Sequence, residues 1–373
     1  MSSLPHKTSF MVIGSENPRI RDFFGQVGHF GQISYLDMEP LNRSTSIDQM
    51  AACWRWRKPR EGIQEARTCV PRRWSEVSSA VVHWFLRRRF ADAGRPDAVV
   101  FTWPHLAPLC EKLPDLFRIY YCKDPFDRWP GATPDTKKME QRLLDNCDLV
   151  FAVSRQLAED FAPRSRGRVI YLPNAVDDSF LTLPPQPRPQ DLPSDRPIVG
   201  CIGQINYTYD LGYMQQLAAL VPEVTFCYIG NVVEYNWMQR KRLLSWLRRT
   251  ENVLWLGPKP HAELPAYIQN FDICLNCLHV DDNNNRRSPL RLYDYLTTER
   301  PVVSTPVREA YEHLPHVLLA DSPRQAAATI RDYLAGKRHV DLPRRLAYIR
   351  QNTWSVRARQ FLGHLRQSGL KAA

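Results

Sequence analysis

The chain of 373 residues contains no run of 18 or more apolar residues, the length at which a segment reads as a membrane-crossing helix. Its polar start, Met1 to Lys7, lacks the charged and then apolar order of a secretory signal. A cytoplasmic protein is the expectation. Acidic residues are in deficit, with 39 Asp and Glu against 50 Lys and Arg, a net charge of +11. Nine cysteines, an odd number scattered along a long chain, argue against a disulfide framework and for reduced thiols. The one CxxC pair, Cys274 and Cys277, lies in the apolar run FDICLNCLHV. That run reads as a strand and sends i and i+3 to opposite faces, so no metal site is expected there. With 43% hydrophobic and 24% charged residues the chain can bury a large core, which excludes disorder and fibrous repeats and suggests two domains.

The basic surplus is unevenly placed. Between Cys53 and Arg95 eleven Arg and Lys oppose four Asp and Glu, interleaved with Trp54, Trp56, Trp74, Trp84 and Phe85. Cations among aromatic rings suit an anionic membrane surface, and nucleic acid would also fit. A solvated helical face with a few core tryptophans is the plainer account.

A Pro-rich stretch from Leu183 to Pro197 holds six prolines and no apolar periodicity, and reads as an extended linker. On both sides short apolar or β-branched runs alternate with longer amphipathic segments, the pattern of α/β units with parallel sheets. Strands are expected near residues 9–14, 32–38, 98–103, 117–122, 148–154 and 168–174. After the linker they are expected near 197–203, 225–230, 252–257, 272–277, 301–305 and 316–320. The fold class is therefore α/β, with two doubly wound Rossmann-like domains, residues 1–180 and 198–340, joined by a linker at 181–197 and facing a central cleft. The remaining segment, 341–373, reads as a basic C-terminal helix; whether it packs back on the first domain is left open by the sequence. Ligands in such sheets bind beyond the carboxyl ends of the strands, so the cleft is the expected site.

The segment RRSPLRLYDYLTTERPVVST, Arg286 to Thr305, is the most informative. Ser288 followed by Pro289 reads as a helix start, serine capping free N–H groups and proline at the first helical position. Such a helix end, with Arg286, Arg287 and Arg291 around it, suits a diphosphate. Arg291 and Asp294, three apart, share a face, and Asp294 is placed to accept ribose hydroxyls; a plain surface salt bridge is the alternative. Asp281 and Asp282, in the loop DDNNNRR, read as part of a mobile polar loop rather than a metal site.

These motifs resemble a known family. GQINYTYD (203–210), YIGN (228–231), NVLWLGPKPHAELPAYI (252–268), FDICLN (271–276) and SPLRLYDYL followed by PVVST are similar, in order and spacing, to the nucleotide-binding domain of GT-B fold glycosyltransferases of the family 4 type. DLVFAVSRQL (148–157) and LPNAVD (172–177) match patterns of the same family's first domain. The resemblance runs from about Ala98 onward. It implies that Gly203 and Gln204 approach the donor diphosphate, that Gly230 closes the next strand, and that the backbone at Pro258 and Lys259 meets the base edge. It also sets Arg291 on the phosphates and Asp294 in place of the ribose-binding glutamate; Arg286, Arg287, Ser288 and Leu290 complete the expected donor site. The family pairs that acid with another eight positions earlier, where this chain has Arg286. Ala175 replaces the glycine of the PNGVD pattern. No metal or other cofactor is implied.

In YYCKDPFDRWPG, residues 120–131, Asp124 and Asp127 come just past the end of an expected buried strand, where catalytic groups project. The position of Asp124 is similar to that of the base aspartate in xanthan-type glucuronosyltransferases, whose donor segment also resembles SPLRLYDY. His105, Asp127 and Glu140 are further acceptor-side candidates, Glu140 facing either the cleft or solvent. The expectation is transfer of a sugar from a nucleoside diphosphate donor to a saccharide or lipid-linked acceptor in polysaccharide or glycolipid synthesis, with peripheral membrane contact through residues 53–95. A GT-B nucleotide-sugar epimerase would need acid/base pairs on both sides of the sugar, and the second domain offers mainly His261 and His279. A basic nucleic-acid-binding protein would leave the two-domain pattern without a purpose.

Overall fold

The computed structural model describes residues 8–16, 18–40, 55–60, 63–70, 76–234 and 236–370. Two compact units emerge, Met1–Pro173 with Trp354–Ala373, and Asn174–Thr353.

In the first unit, strands β1 (Ser9–Ile13), β2 (Gln32–Pro40), β3 (Arg57–Arg60), β4 (Ile63–Val70), β5 (Ala98–Phe101), β6 (Phe117–Cys122), β7 (Leu149–Ala152) and β8 (Arg168–Tyr171) form one sheet in the order β3-β4-β2-β1-β5-β6-β7-β8. Every neighbouring pair is parallel except β3 with β4. The inner strands read as continuous apolar runs because helices cover both faces; β5 and β7 are buried throughout. The chain order reverses between β1 and β5, which makes that crevice a topological switch point.

Two strands of this sheet were not expected. No strand was expected between Cys53 and Arg95, where a solvated helical face was one of two readings, yet β3 and β4 occupy part of it and β4 pairs in parallel with β2 from Ile33 to Pro40. In β4, Ala66 and Thr68 are buried while Arg67 points outward, an alternation too short and polar to stand out in sequence. The helix Glu76–Ala93 follows. Trp54 and Trp74 lie outside the described residues.

The second unit has a six-stranded parallel sheet of β9 (Ile198–Ile202), β11 (Thr225–Ile229), β13 (Val253–Gly257), β14 (Ile273–Asn276), β15 (Val302–Ser304) and β16 (Leu318–Leu319), in the order β13-β11-β9-β14-β15-β16. A short ladder pairs β10 (Ile205–Asn206) with β12 (Val232–Val233). The order is 3-2-1-4-5-6 counted within the sheet, and it reverses between β9 and β14.

The chain passes between units at Pro173 and Asn174 rather than in the Pro-rich stretch. Residues 181–197 belong to the second unit because side chains tie them to it. Leu192 enters its core, Asp191 binds Lys259 and Tyr267, and the Gln186 N–H donates to Gln269 Oε1 at 2.7 Å. The C-terminal segment divides as well. Helix Leu342–Ile349 stays with the second unit, Arg345 donating to the carbonyls of Thr298, Arg300 and His316. Helix Trp354–Gln367 is part of the first unit. There Phe361 packs on Phe151 at 4.7 Å and edge-on to Phe23 at 5.5 Å, and Trp354 lies 5.8 Å from Phe23. Burying rings of this size contributes about 1.5–3 kcal/mol each, enough to fix which unit the helix joins.

Candidate active site

In the second unit the carboxyl ends of three adjacent strands are stitched together by glycines. The Gly203 N–H donates to the Ile229 carbonyl at 2.9 Å and the Gly230 N–H to the Gly257 carbonyl at 2.8 Å. Gly230 has φ +151°, and a Cβ there would sit 1.9 Å from the Gly203 carbonyl oxygen, so no side chain can replace it without moving the turn. Gly203 itself, with φ +108°, faces the Arg291 guanidinium, which a Cβ would approach to 3.1 Å. Gln204 beside it is exposed.

At the switch point β9 and β14 pair only through Val199 and Gly200. Beyond that their ends separate, and Tyr295 bridges them. Its hydroxyl accepts the Ile202 N–H at 2.8 Å and donates to the Leu275 carbonyl at 3.3 Å. Tyr295 is the last residue of helix Leu290–Tyr295, so one hydrogen-bond pair fixes that helix over the opened crevice. Arg291 from the same helix reaches the Cys201 thiol at 3.9 Å and lies 4.6 Å over the Tyr209 ring. The turn at Gly203 and the cation of Arg291 therefore meet, as the motif order implied.

Other expected donor residues are placed differently. Ser288 does not cap the helix. Pro289 occupies the cap position and no side chain bonds there, because the Ser288 hydroxyl and carbonyl receive the Asn174 backbone and side-chain N–H groups at 3.3 and 2.8 Å. The helix has six residues, so its dipole adds little and the charge at the site comes from side chains. The stretch expected to be a mobile loop is a helical turn, Asp282–Asn285, capped by Asp281. It is pinned by the buried Asn284, whose amide donates to the carbonyls of Thr208 and His279. Arg286 pairs with Asp282 at 2.9 Å, and Arg287 donates to the Tyr207 hydroxyl at 3.0 Å. Leu290 is partly exposed, whereas Asp294 is only 3% exposed. Lys259 is held by Asp191 at 2.6 Å, an ion pair that raises its pKa and keeps it charged.

In the first unit Asp124 follows β6 directly and is partly exposed. Its backbone carbonyl accepts the Cys122 thiol at 3.3 Å. Asp127 lies in the short helix Phe126–Arg128, its carboxylate 3.6 Å from Arg128. His105 is exposed in the turn Pro104–Leu106. Glu140 faces neither a cleft nor solvent. It is 2% exposed, accepts the Tyr120 hydroxyl at 3.0 Å and lies 3.5 Å from Arg164. Burial, with Asp127 nearby, pushes its pKa up to about 7.

One group escaped the sequence reading. The Lys123 ammonium sits 4.1 Å over the Trp103 ring, with no hydrogen-bond partner among the described residues. Burial pushes its pKa down to about 8, against the pull of Asp124 and Glu16. Trp103, Phe126 and Trp129 pack on one another at 4.8 to 5.5 Å around it. A lysine set over a tryptophan that far back in the chain, Lys123 over Trp103, carries no signal in sequence.

The sequence and fold are similar to those of known proteins. Residues 213–363 match the family described as Glycosyl transferase-like. A teichuronic acid biosynthesis glycosyltransferase, TuaH of Bacillus subtilis (strain 168), is 25% identical over 174 residues, 45% of this chain and 43% of that protein. The chain thus matches less than half the length of that relative. The apo structure of OtsA superposes with a TM-score of 0.74 at 13% identity, covering 97% of this chain and 99% of that one. An α,α-trehalose-phosphate synthase (UDP-forming) from Burkholderia vietnamiensis gives 0.71 at 15% identity, covering 98% of each chain. The chain has the GT-B fold of these structures, and its second unit carries the glycosyl transferase-like sequence.

Proposed function

We propose that the protein transfers a sugar from a nucleoside diphosphate sugar to a hydroxyl of a saccharide or lipid-linked saccharide, in the building of a polysaccharide or glycolipid. The observation that carries this reading is the meeting of Gly203 and Arg291 at the switch point of the second sheet. A glycine turn lets a diphosphate approach the backbone, and a guanidinium answers its charge. Arg286 and Arg287 extend the positive surface, so side chains rather than a metal ion balance the donor. Asp294 receives the ribose, and the backbone at Lys259 and the turn at Gly230 border the base. The teichuronic acid role in the name of TuaH and the UDP-2-fluoro glucose bound to the E. coli trehalose-6-phosphate protein agree with such a donor and product.

On the first unit Asp124 is assigned as the base that takes the acceptor proton, with Asp127 and His105 on the acceptor side. Helix Glu76–Ala93 adds an exposed row, Val77, Val81 and Trp84, with Arg88 over the Trp84 ring at 4.5 Å. Such a row supports peripheral docking on the inner face of a cell membrane; among the described residues no helix is long and apolar enough to cross one.

Thermal unfolding in the presence of UDP-, GDP- and TDP-sugars tests the donor reading. A donor at a hundred times its dissociation constant adds about 2.7 kcal/mol, so one base should raise the transition clearly. No shift with any nucleoside diphosphate would end it.

A further inference from the structure

Helix Trp237–Arg249, in the second unit, has the sequence WMQRKRLLSWLRR, with five cations and no acid. Asn236 caps it, its side chain accepting the N–H groups of Met238 and Gln239. The inner face is short. Leu243 and Leu247 are buried, and Trp246 meets Tyr228 at 5.7 Å. Residues 237, 241, 244 and 248 recur at helical spacing and look the other way. On that side Trp237 is 70% exposed and Met238 53%. A shallow groove runs there between Trp237, Arg240, Lys241, Leu244, Arg248 and Arg249.

A solvated helix does not need its largest apolar side chains outermost, and a helix that mixes them only with cations has one natural complement. We propose that the outer face of Trp237–Arg249 docks on an anionic phospholipid surface. Trp237 and Met238 enter at headgroup depth while the guanidinium and ammonium groups meet lipid phosphates. At 1.5 Å per residue the helix is about 20 Å long, suited to lying along the interface. Nucleic acid would use the cations but has no use for an outward Met238 and Trp237 beside Leu244. A second copy of this chain would set five cations against five. The proposal rests neither on the donor chemistry nor on helix Glu76–Ala93.

Co-sedimentation of the full chain with phosphatidylcholine vesicles, with and without phosphatidylglycerol, tests it. The wild type should bind only the anionic vesicles and leave them near 0.5 M salt, where the Debye length falls to about 4 Å. Two surface variants, R240Q/K241Q/R248Q/R249Q and W237S/M238S, should each weaken partitioning at least tenfold with an unchanged circular dichroism spectrum. W237S/M238S should bind a DNA duplex as the wild type does. Equal vesicle binding by W237S/M238S and the wild type would overturn the lipid assignment, and so would loss of self-association without loss of vesicle binding. If only V81S/W84S, in the other helix, abolishes sedimentation, the site is misplaced. The nucleotide-induced thermal shift should persist in all these variants; its absence from the wild type would count against the donor reading alone.

Discussion

The carboxyl ends of the two sheets share a glycine turn after the first strand of each, Gly14 and Gly203, and differ in the charge set beside it. In the second unit they are glycine turns overlooked by Arg291, with Arg286 and Arg287 nearby. In the first unit the side chains beyond the strands are mostly carboxyl groups, Glu16 after β1 and Asp124 and Asp127 after β6, with the Lys123 ammonium among them and Glu140 buried. Both sheets are mainly parallel, so under the proposed function the difference lies in what each site would handle. A diphosphate asks for backbone access and positive charge, and a hydroxyl that must lose its proton asks for a carboxylate. The contrast predicts that removing charge from the first unit affects turnover, while removing it from the second affects binding.

The sharpest break in that contrast is Asp124→Asn. An inverting transferase with Asp124 as base should lose about 10² to 10⁴ in turnover and keep its donor affinity. Asp127→Asn should cost much less. If Asp124→Asn retains substantial activity and NMR shows a product with the donor's anomeric configuration, the proton goes elsewhere and the assignment fails.

Glu140 marks the limit of reading acids as catalytic. Its folded pKa is raised to about 7 from an ordinary 4.5, so the native state binds the extra proton between those values. Stability from this group is complete below about pH 4.5, is lost as pH rises to 7, and is flat above. A shift of that size corresponds to about 3 kcal/mol. Glu140→Gln keeps an acceptor for Tyr120 and cannot ionise. Urea titrations at pH 5, 6, 7 and 8 should show the variant gaining on the wild type up to pH 7 and no further. Lys123, with its pKa lowered to about 8, acts in another window: its penalty is full below 8 and is relieved toward 10.5. It therefore leaves this comparison untouched. A constant difference across the range would mean that Glu140 is ionised throughout.

Much of this architecture is legible in sequence. All twelve expected strands form, because strands buried on both faces must be apolar runs and apolar runs of four to six residues have few other uses. The edge strand β3 and its neighbour β4 were missed for the same reason, since a strand with one exposed side can carry Arg, Lys, Gln and Glu. The Pro-rich stretch misled because proline density reports backbone stiffness, while the attachment is made by Leu192 and Asp191. Gly203 and Arg291, 88 positions apart, were paired through motif resemblance, which already encodes a tertiary arrangement. Where no such pattern existed, as for the Ser288 hydroxyl drawn to Asn174, local capping rules chose the wrong partner.

The second unit's half of the contrast rests on Arg291. Its guanidinium lies on the Tyr209 ring and beside Gly203, held by aromatic packing with no carboxylate salt bridge among the described residues, which suits its charge to a ligand. Arg291→Ala should weaken nucleoside diphosphate binding by about 1.5 to 3 kcal/mol, the range for hydrogen bonds to charged groups, with the maximal rate at saturating donor much less affected. Asp294→Asn should cost less, because an amide still accepts one ribose hydroxyl, and its signature is a weakened preference for ribose over deoxyribose nucleotides. Calorimetric titration of both variants with the paired nucleotides separates the two roles. Binding equal to the wild type in both would remove the donor from this crevice, and a fall in turnover alone would make the two sheets' ends alike in task despite their chemistry.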